Sequence, residues 1–364
     1  MRPVSFSAFD YLIVGQGLAG SIVAWLLIHE GQRVLIADNQ PQSAASRTAA
    51  GIINPVTGRR WVKTPYIDIC LPAAHRLYDV FEQQFDRLFF HNRGFLRLLR
   101  SAADCAALQK RRSDADYTDY LGNYLAPGST GYALDDPWGC VAQSGCGYLQ
   151  TELLLDLLRC WFQDSGCLVE APFVFEDLDL ERTPLRWCGR PIHRIVFCEG
   201  ARAVNNPWFR WLPFQLSKGD ILTLATDNPM PCHIIHREQW MLPMDEGTFK
   251  FGASYQWAPL DSRPDEKAAR HLLDRLDTFF KPAVRAEVIR HQSGIRPGTR
   301  DKQPFIGVHP RYDHLLMFNG FGSKGVLLIP WYAQRLVDLL RHNAPLPPHA
   351  DIRRFYPKSF RNYA

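Results

Sequence analysis

Three glycines at positions 15, 17 and 20, spaced G-x-G-x-x-G, and an aspartate at 38 are the residues whose types and spacing most directly imply chemistry. Gly15 makes a tight turn, Gly17 lets backbone approach a diphosphate, and Gly20 lets a helix pack closely on a strand. The diphosphate then sits at a helix N-terminus, where unpaired N–H groups and the helix dipole favour negative charge. Asp38 is placed to accept a ribose hydroxyl, so the set predicts an adenine dinucleotide. A second glycine-rich turn, Gly320-Phe321-Gly322-Ser323-Lys324-Gly325, opens another helix. Arg59, Arg60 and Lys63 follow a loop of small residues, and two readings stand for them: the lining of an anionic-substrate pocket, or a solvated face. In Thr248-Phe249-Lys250-Phe251-Gly252, strand alternation points Lys250 away from both phenylalanines. There is no Ser/His/Asp or paired-carboxylate signature, and the lone His291 reads as structural.

Elements must hold these residues in place. Tyr11–Val14 reads as a strand, a helix follows to about His29, Gly31 ends it, and Val34–Ala37 is a second strand closing on Asp38. The rival reading of residues 11–28 is a signal or membrane segment. Three glycines, Gln16 and Ser21, the short span and the lack of a small-residue cleavage site argue against it. A polar loop (39–47) leads into TAAGIINPVTGRRWVKTP (48–65), whose small residues and turn formers predict close passage past something. Helical patterns cover 71–89, 101–112, 150–164, 264–280 and 326–341. Strands are expected within 167–180 and at 195–198, 219–225, 247–256 and 315–318, with 113–147 rich in loops. The first and last parts both resemble nucleotide-domain pieces, which implies two interleaved domains.

At 364 residues, two domains are expected, and 46% hydrophobic with 22% charged residues describes a globular protein. The net charge of +5 comes without a dense Lys/Arg block, so neither a nucleic-acid nor a membrane partner is expected. The nine cysteines show no C-x-x-C pair and no zinc spacing, so no metal centre is expected. With no targeting segment evident, the expected compartment is the cytoplasm.

The fingerprint, GIRPGTRDKQPFIGVHP (294–310), LLMFNGFGSKGVLLIPWYAQRLVDLL (315–340), and the central KGDILTL and FKFGASYQW segments occur in a telling order. Together they closely resemble the FAD-dependent D-amino-acid oxidase superfamily over about residues 9–341. The likeness is to its glycine oxidase and sarcosine oxidase branch, and to the FAD domain of the bacterial tRNA-wobble-uridine modification enzyme. It implies an α/β fold: a Rossmann-like FAD-binding domain (1–70, 145–215 and 290–364) interleaved with a substrate domain (71–144 and 216–289) on a mixed, largely antiparallel sheet. By position, Gly15, Gly17, Leu18, Ala19 and Gly20 would serve the pyrophosphate, and Asp38 and Asn39 the ribose. Ala45 and Ser46 fall in the next cofactor stretch, and Ala50, Gly51 and Ile52 would pass under the isoalloxazine. Phe173 or Val174 would meet adenine through a strand backbone, and Gly200 would end a strand against the cofactor. Gly322, Ser323, Lys324, Gly325 and Val326 would lie beside the flavin pyrimidine ring.

On the substrate side the resemblance gives Arg296 the substrate carboxylate, a contact suited to a planar guanidinium, with a structural arginine as the alternative. The branch's second basic residue aligns with Ser323, with Lys324 beside it; Trp240 stands where an aromatic covers the pocket. Lys250 aligns with the lysine that helps O2 accept electrons in sarcosine oxidase; a solvated strand lysine is the other reading. The implied activity is oxidation of a C–N bond of a small amino acid or secondary amine by hydride transfer to flavin N5. The imine is then hydrolysed, and O2 or another acceptor takes the electrons. The alternatives are demodification of a tRNA-type carboxymethylamine and a flavin-binding protein without turnover. Against the first, no methyltransferase partner domain and no strongly basic surface are read in this chain. Oligomeric state is not legible.

Overall fold

The computed structural model describes residues 8–40, 44–245 and 247–356. They form two compact units, each gathered from separate stretches: the first from within 1–47, 151–217 and 295–364, the second from 48–150 and 218–294. The interleaving is the expected one, but the borders differ. Residues 48–70, 145–150 and 290–294, expected with the nucleotide domain, belong to the second unit. The reason is pairing: Gly147–Leu149 pairs with both Ile52–Ile53 and Phe90–Asn92, and the strand Glu287–Thr299 ends the large sheet of the second unit.

In chain order the elements used below are β1 (Phe9–Val14), α1 (Leu18–His29), β2 (Val34–Ala37), α2 (Thr151–Asp164), β3 (Arg190–Phe197), β4 (Phe214–Ala225), β5 (Trp240–Pro243), β6 (Thr248–Gly252), β7 (Glu287–Thr299), β8 (Leu315–Asn319) and α3 (Gly325–His342). In the first unit, β2, β1, β3 and β8 lie side by side as parallel strands. Leu168–Val169 extends the sheet beyond β2, also in parallel. β1, β2 and β8 are near-continuous apolar runs because both faces of a parallel sheet are covered. α1 is buried almost all round, as expected of a helix apolar on every side. Its 12 residues span about 18 Å, well short of a bilayer. Among the described residues no helix is long and apolar enough to cross a membrane.

The second unit is built on a mixed, largely antiparallel sheet of eight strands, with β7, β4, β6 and β5 as neighbours in that order. Phe249 and Phe251 of β6 point into a core with Leu222, Leu224, Met241 and Phe279. Two stretches depart from expectation. Within 167–180 only Leu168–Val169 and Leu178–Asp179 are strand. Pro172 lacks a donor for a ladder, and Phe173 packs instead against Trp187 and Phe197. The loop-rich 113–147 contains Leu121–Leu125 and Cys140–Gln143, short strands at one edge of the large sheet.

Candidate functional site

The fingerprint glycines have separate physical reasons. Gly15 has φ +98°, and a Cβ there would lie 2.7 Å from the Cys198 carbonyl oxygen. A Cβ on Gly20 would lie 1.8 Å from the Gly15 carbonyl oxygen, so α1 could not approach the turn with any side chain there. Gly17, the N-cap of α1, differs: its φ is ordinary, and a Cβ would meet only Ser46, at 3.3 Å. At Gly17 only the Ser46 side chain would have to give, by a few tenths of an ångström, and no backbone stands in the way, which fits a backbone kept bare for a ligand. The first-turn N–H groups of a helix lack intrahelical acceptors. Here Ser46 Oγ accepts from the Leu18 N–H at 3.1 Å, while the Leu18 side chain is buried. Ala45 and Ser46 begin the short helix Ala45–Thr48.

Asp38 is more occupied than a ribose acceptor needs to be. Its carboxylate accepts from the Gln16 N–H (2.9 Å), the Gln40 N–H (2.6 Å) and the Arg159 guanidinium (3.1 Å). A carboxylate has about four lone-pair sites, so about one remains for a ligand hydroxyl. Arg159, on α2, is buried and also bonds Gln16 and Glu170, whose carboxyl is held below its usual range chiefly by Arg159. Sequence reading missed Arg159. Its signal was a charge on the face of α2 that buries Leu155, Leu158 and Phe162. Asn39 is exposed.

The carboxyl ends of β1, β3 and β8 bring further residues together, the region where parallel sheets bind ligands. Gly200 has φ +56° and nothing within 4 Å of an added Cβ; its carbonyl accepts from the Asn319 amide at 2.9 Å. Glu199, not foreseen, follows β3; burial pushes its carboxyl up to about 7, against the Asn206 amide and the Arg202 charge. The Gly322 N–H donates to the Pro297 carbonyl at 3.1 Å, tying the glycine-rich turn to Arg296's strand, β7. Arg296 is half-buried there. A Cβ on Gly322, at φ +55°, would meet Gly298 Cα only at 3.8 Å. Ser323 is exposed, Gly325 starts α3 and Val326 is buried. Lys324 is the N-cap of α3; burial, then the charge of Lys302, lowers its ammonium to about 8. Val174 is not on a strand: it is exposed and caps the turn Phe175–Asp177.

The second unit assembles its own set. Ala50, Ile52 and Trp240 pack with Tyr148, Ile221 and Leu242. Trp240 and Leu242 stand opposite Gly252 and Lys250 across β5 and β6. Opposed residues share a face, so Lys250 lies on the Trp240 face, away from Phe249 and Phe251, as the alternation implies. Gly51 has a reason inside the chain: φ +72°, and a Cβ would lie 1.9 Å from the Leu149 carbonyl oxygen. In the Arg59 cluster two side chains are ion-paired, and Arg60 is exposed. Arg59 pairs with Glu238, the Arg60 carbonyl accepts from Arg111, and Lys63 pairs with Asp68. Arg97, stacked 3.6 Å over the Trp61 ring, bonds the Gly58 carbonyl. His291 bonds the buried Asp220 at 3.1 Å, a structural role.

A parallel sheet with a dinucleotide fingerprint, interleaved with an antiparallel substrate-type sheet, defines a flavin-dependent oxidoreductase of the amino-acid and amine oxidase type. The family model described as DAO, FAD dependent oxidoreductase, matches residues 10–339, and the chain belongs to that family. FAD is the family's cofactor. The open space at Gly200 and Gly322, and the side-chain-free backbone at Gly17, fit such a group. The chain is 20% identical over 354 residues to glycine oxidase of Bacillus subtilis, covering 91% of this chain and 93% of that one. It is 26% identical to the tRNA 5-methylaminomethyl-2-thiouridine biosynthesis bifunctional protein of Methylibium petroleiphilum. That match covers 94% of this chain and 59% of the larger protein. The crystal structure of glycine oxidase from Geobacillus kaustophilus superposes with a TM-score of 0.81 at 21% identity, covering 93% and 96% of the two chains.

Proposed function

We propose that this enzyme oxidises the C–N bond of a small amino acid or secondary amine that carries a carboxylate. Bound FAD supplies the hydride acceptor. The chain's own residues bind and orient. The α1 N-terminus, with Gly15, Gly17 and Ala19, would hold the diphosphate, and the start of α3 at Gly325 would offer a helix N-terminus to the flavin, favouring negative charge there. Arg296 grips the substrate carboxylate, which fixes the reacting C–H without a catalytic base. Trp240 walls the substrate pocket, and Lys250 supplies positive charge where O2 is reduced.

The observation that carries the reading is the Pro297–Gly322 hydrogen bond, which holds a guanidinium-bearing strand beside the glycine-rich turn. The glycine oxidase likeness supports the amino-acid class. The test is anaerobic flavin reduction by sarcosine and glycine compared with methylamine and dimethylamine, which lack the carboxylate. Reduction by the first pair alone is expected. Reduction by the carboxylate-free amines equally well contradicts the Arg296 assignment. Reduction by neither pair, but by carboxymethylaminomethyl-modified tRNA, favours the macromolecular substrate.

A further inference from the structure

Cys232, His233 and Tyr132 form a cluster in the second unit that the oxidoreductase reading does not use. The Tyr132 hydroxyl lies 3.1 Å from Cys232 Sγ and 2.8 Å from His233 Nδ1, and Sγ lies 3.4 Å from the same nitrogen. The imidazole is held in place. A Cβ on Gly94 would lie 2.3 Å from its Cδ2, so the ring rests directly on bare backbone. The Tyr132 ring meets it edge-on at 5.6 Å. Cys232 is exposed. A thiolate is the nucleophilic form of cysteine, and donors aimed at sulfur favour it. Nδ1–H can donate to the Tyr132 oxygen while the Tyr132 O–H donates to sulfur, so a fixed relay ends on an accessible thiol.

We propose that Cys232 is a peroxide-reactive thiol, held as a nucleophile by Tyr132 and His233. Its thiolate attacks one oxygen of hydrogen peroxide. An S–O bond forms, the O–O bond breaks, and hydroxide leaves and takes a proton to become water. Sulfur loses two electrons and peroxide gains them, giving the sulfenic acid. The chain carries its own contrast: burial and the neighbouring Asp177 push the exposed Cys188 thiol up, and Cys160 is exposed. Burial, then the hydrogen bond to Cys232, raises the Tyr132 hydroxyl, which keeps it a donor.

The test supplies the peroxide and so does not depend on the flavin reaction. Purified whole protein is treated with hydrogen peroxide and dimedone, then with iodoacetamide in a separate time course, and each cysteine is followed by peptide mass spectrometry. Cys232 is expected to take both labels about tenfold faster than Cys160 and Cys188, the effect of one hydrogen bond to a charged group. Tyr132→Phe should slow Cys232 towards the other two while their rates stay unchanged. Equal rates for the three cysteines in the wild-type protein would overturn the proposal, as would an unchanged Cys232 rate in Tyr132→Phe.

Discussion

Gly17 and Gly20 sit three residues apart and fail in different ways when given a side chain. A Cβ on Gly20 collides with the Gly15 carbonyl, whereas one on Gly17 meets only Ser46. Gly17→Val should therefore fold and lose FAD, checked by thermal melting beside bound-flavin absorbance. Arg296→Met should raise the half-saturating concentration of an amino-acid substrate tenfold to about a hundredfold with FAD retained. A charged hydrogen bond is worth about 1.5–3 kcal/mol. Arg159→Met takes the cation from Asp38, which keeps its two backbone N–H donors, and should cost about 1–3 kcal/mol, read from the urea midpoint. Glu199 gives a pH signature. Folded, its carboxyl keeps its proton up to about 7. Unfolded, it ionises at about 4.3. The folded state thus binds more protons across that window, and its stability falls as pH rises through it. Glu199→Gln should abolish this loss, so the variant's melting advantage is larger at about pH 8 than at about pH 5.

At the scale of elements, continuous apolar runs and the glycine triplet made the βαβ unit legible almost residue for residue, because a buried parallel strand leaves little choice of composition. Gly20→Ala tests that packing. Its Cβ has only backbone to push against, so a loss of about 1–3 kcal/mol or more is expected, with Gly17→Ala far milder by melting. Illegible were features decided by partners distant in sequence. Asp38's spacing says ribose, but nothing local says that Arg159, 121 positions away, bonds it. Gly51 looked like a residue bared for a flat ring, and its neighbour is the Leu149 carbonyl. The 167–180 alternation looked like strand and became an aromatic cluster, because Pro172 and the packing of Phe173 override a period of two.

The interleaving of the whole molecule was legible because the matching segments recur in order along the chain, while the borders of the units followed pairings that no composition shift marks. Lys250 belongs to this scale, since its proposed task concerns electrons leaving the enzyme. Lys250→Met should slow reoxidation of reduced flavin by O2 by orders of magnitude and slow reduction by substrate far less, measured as separate half-reactions by stopped flow. Positive charge helps only where negative charge builds on oxygen. A flavin that accepts electrons from an amine is central to every role proposed for these residues. The measurement that tests it most directly is the visible spectrum of the purified yellow protein, mixed without oxygen with glycine, sarcosine, D-proline and D-alanine in turn. At least one should bleach the flavin band, and denaturation should release FAD rather than FMN. A protein that holds no FAD, or one whose flavin stays oxidised with every amine, would contradict it.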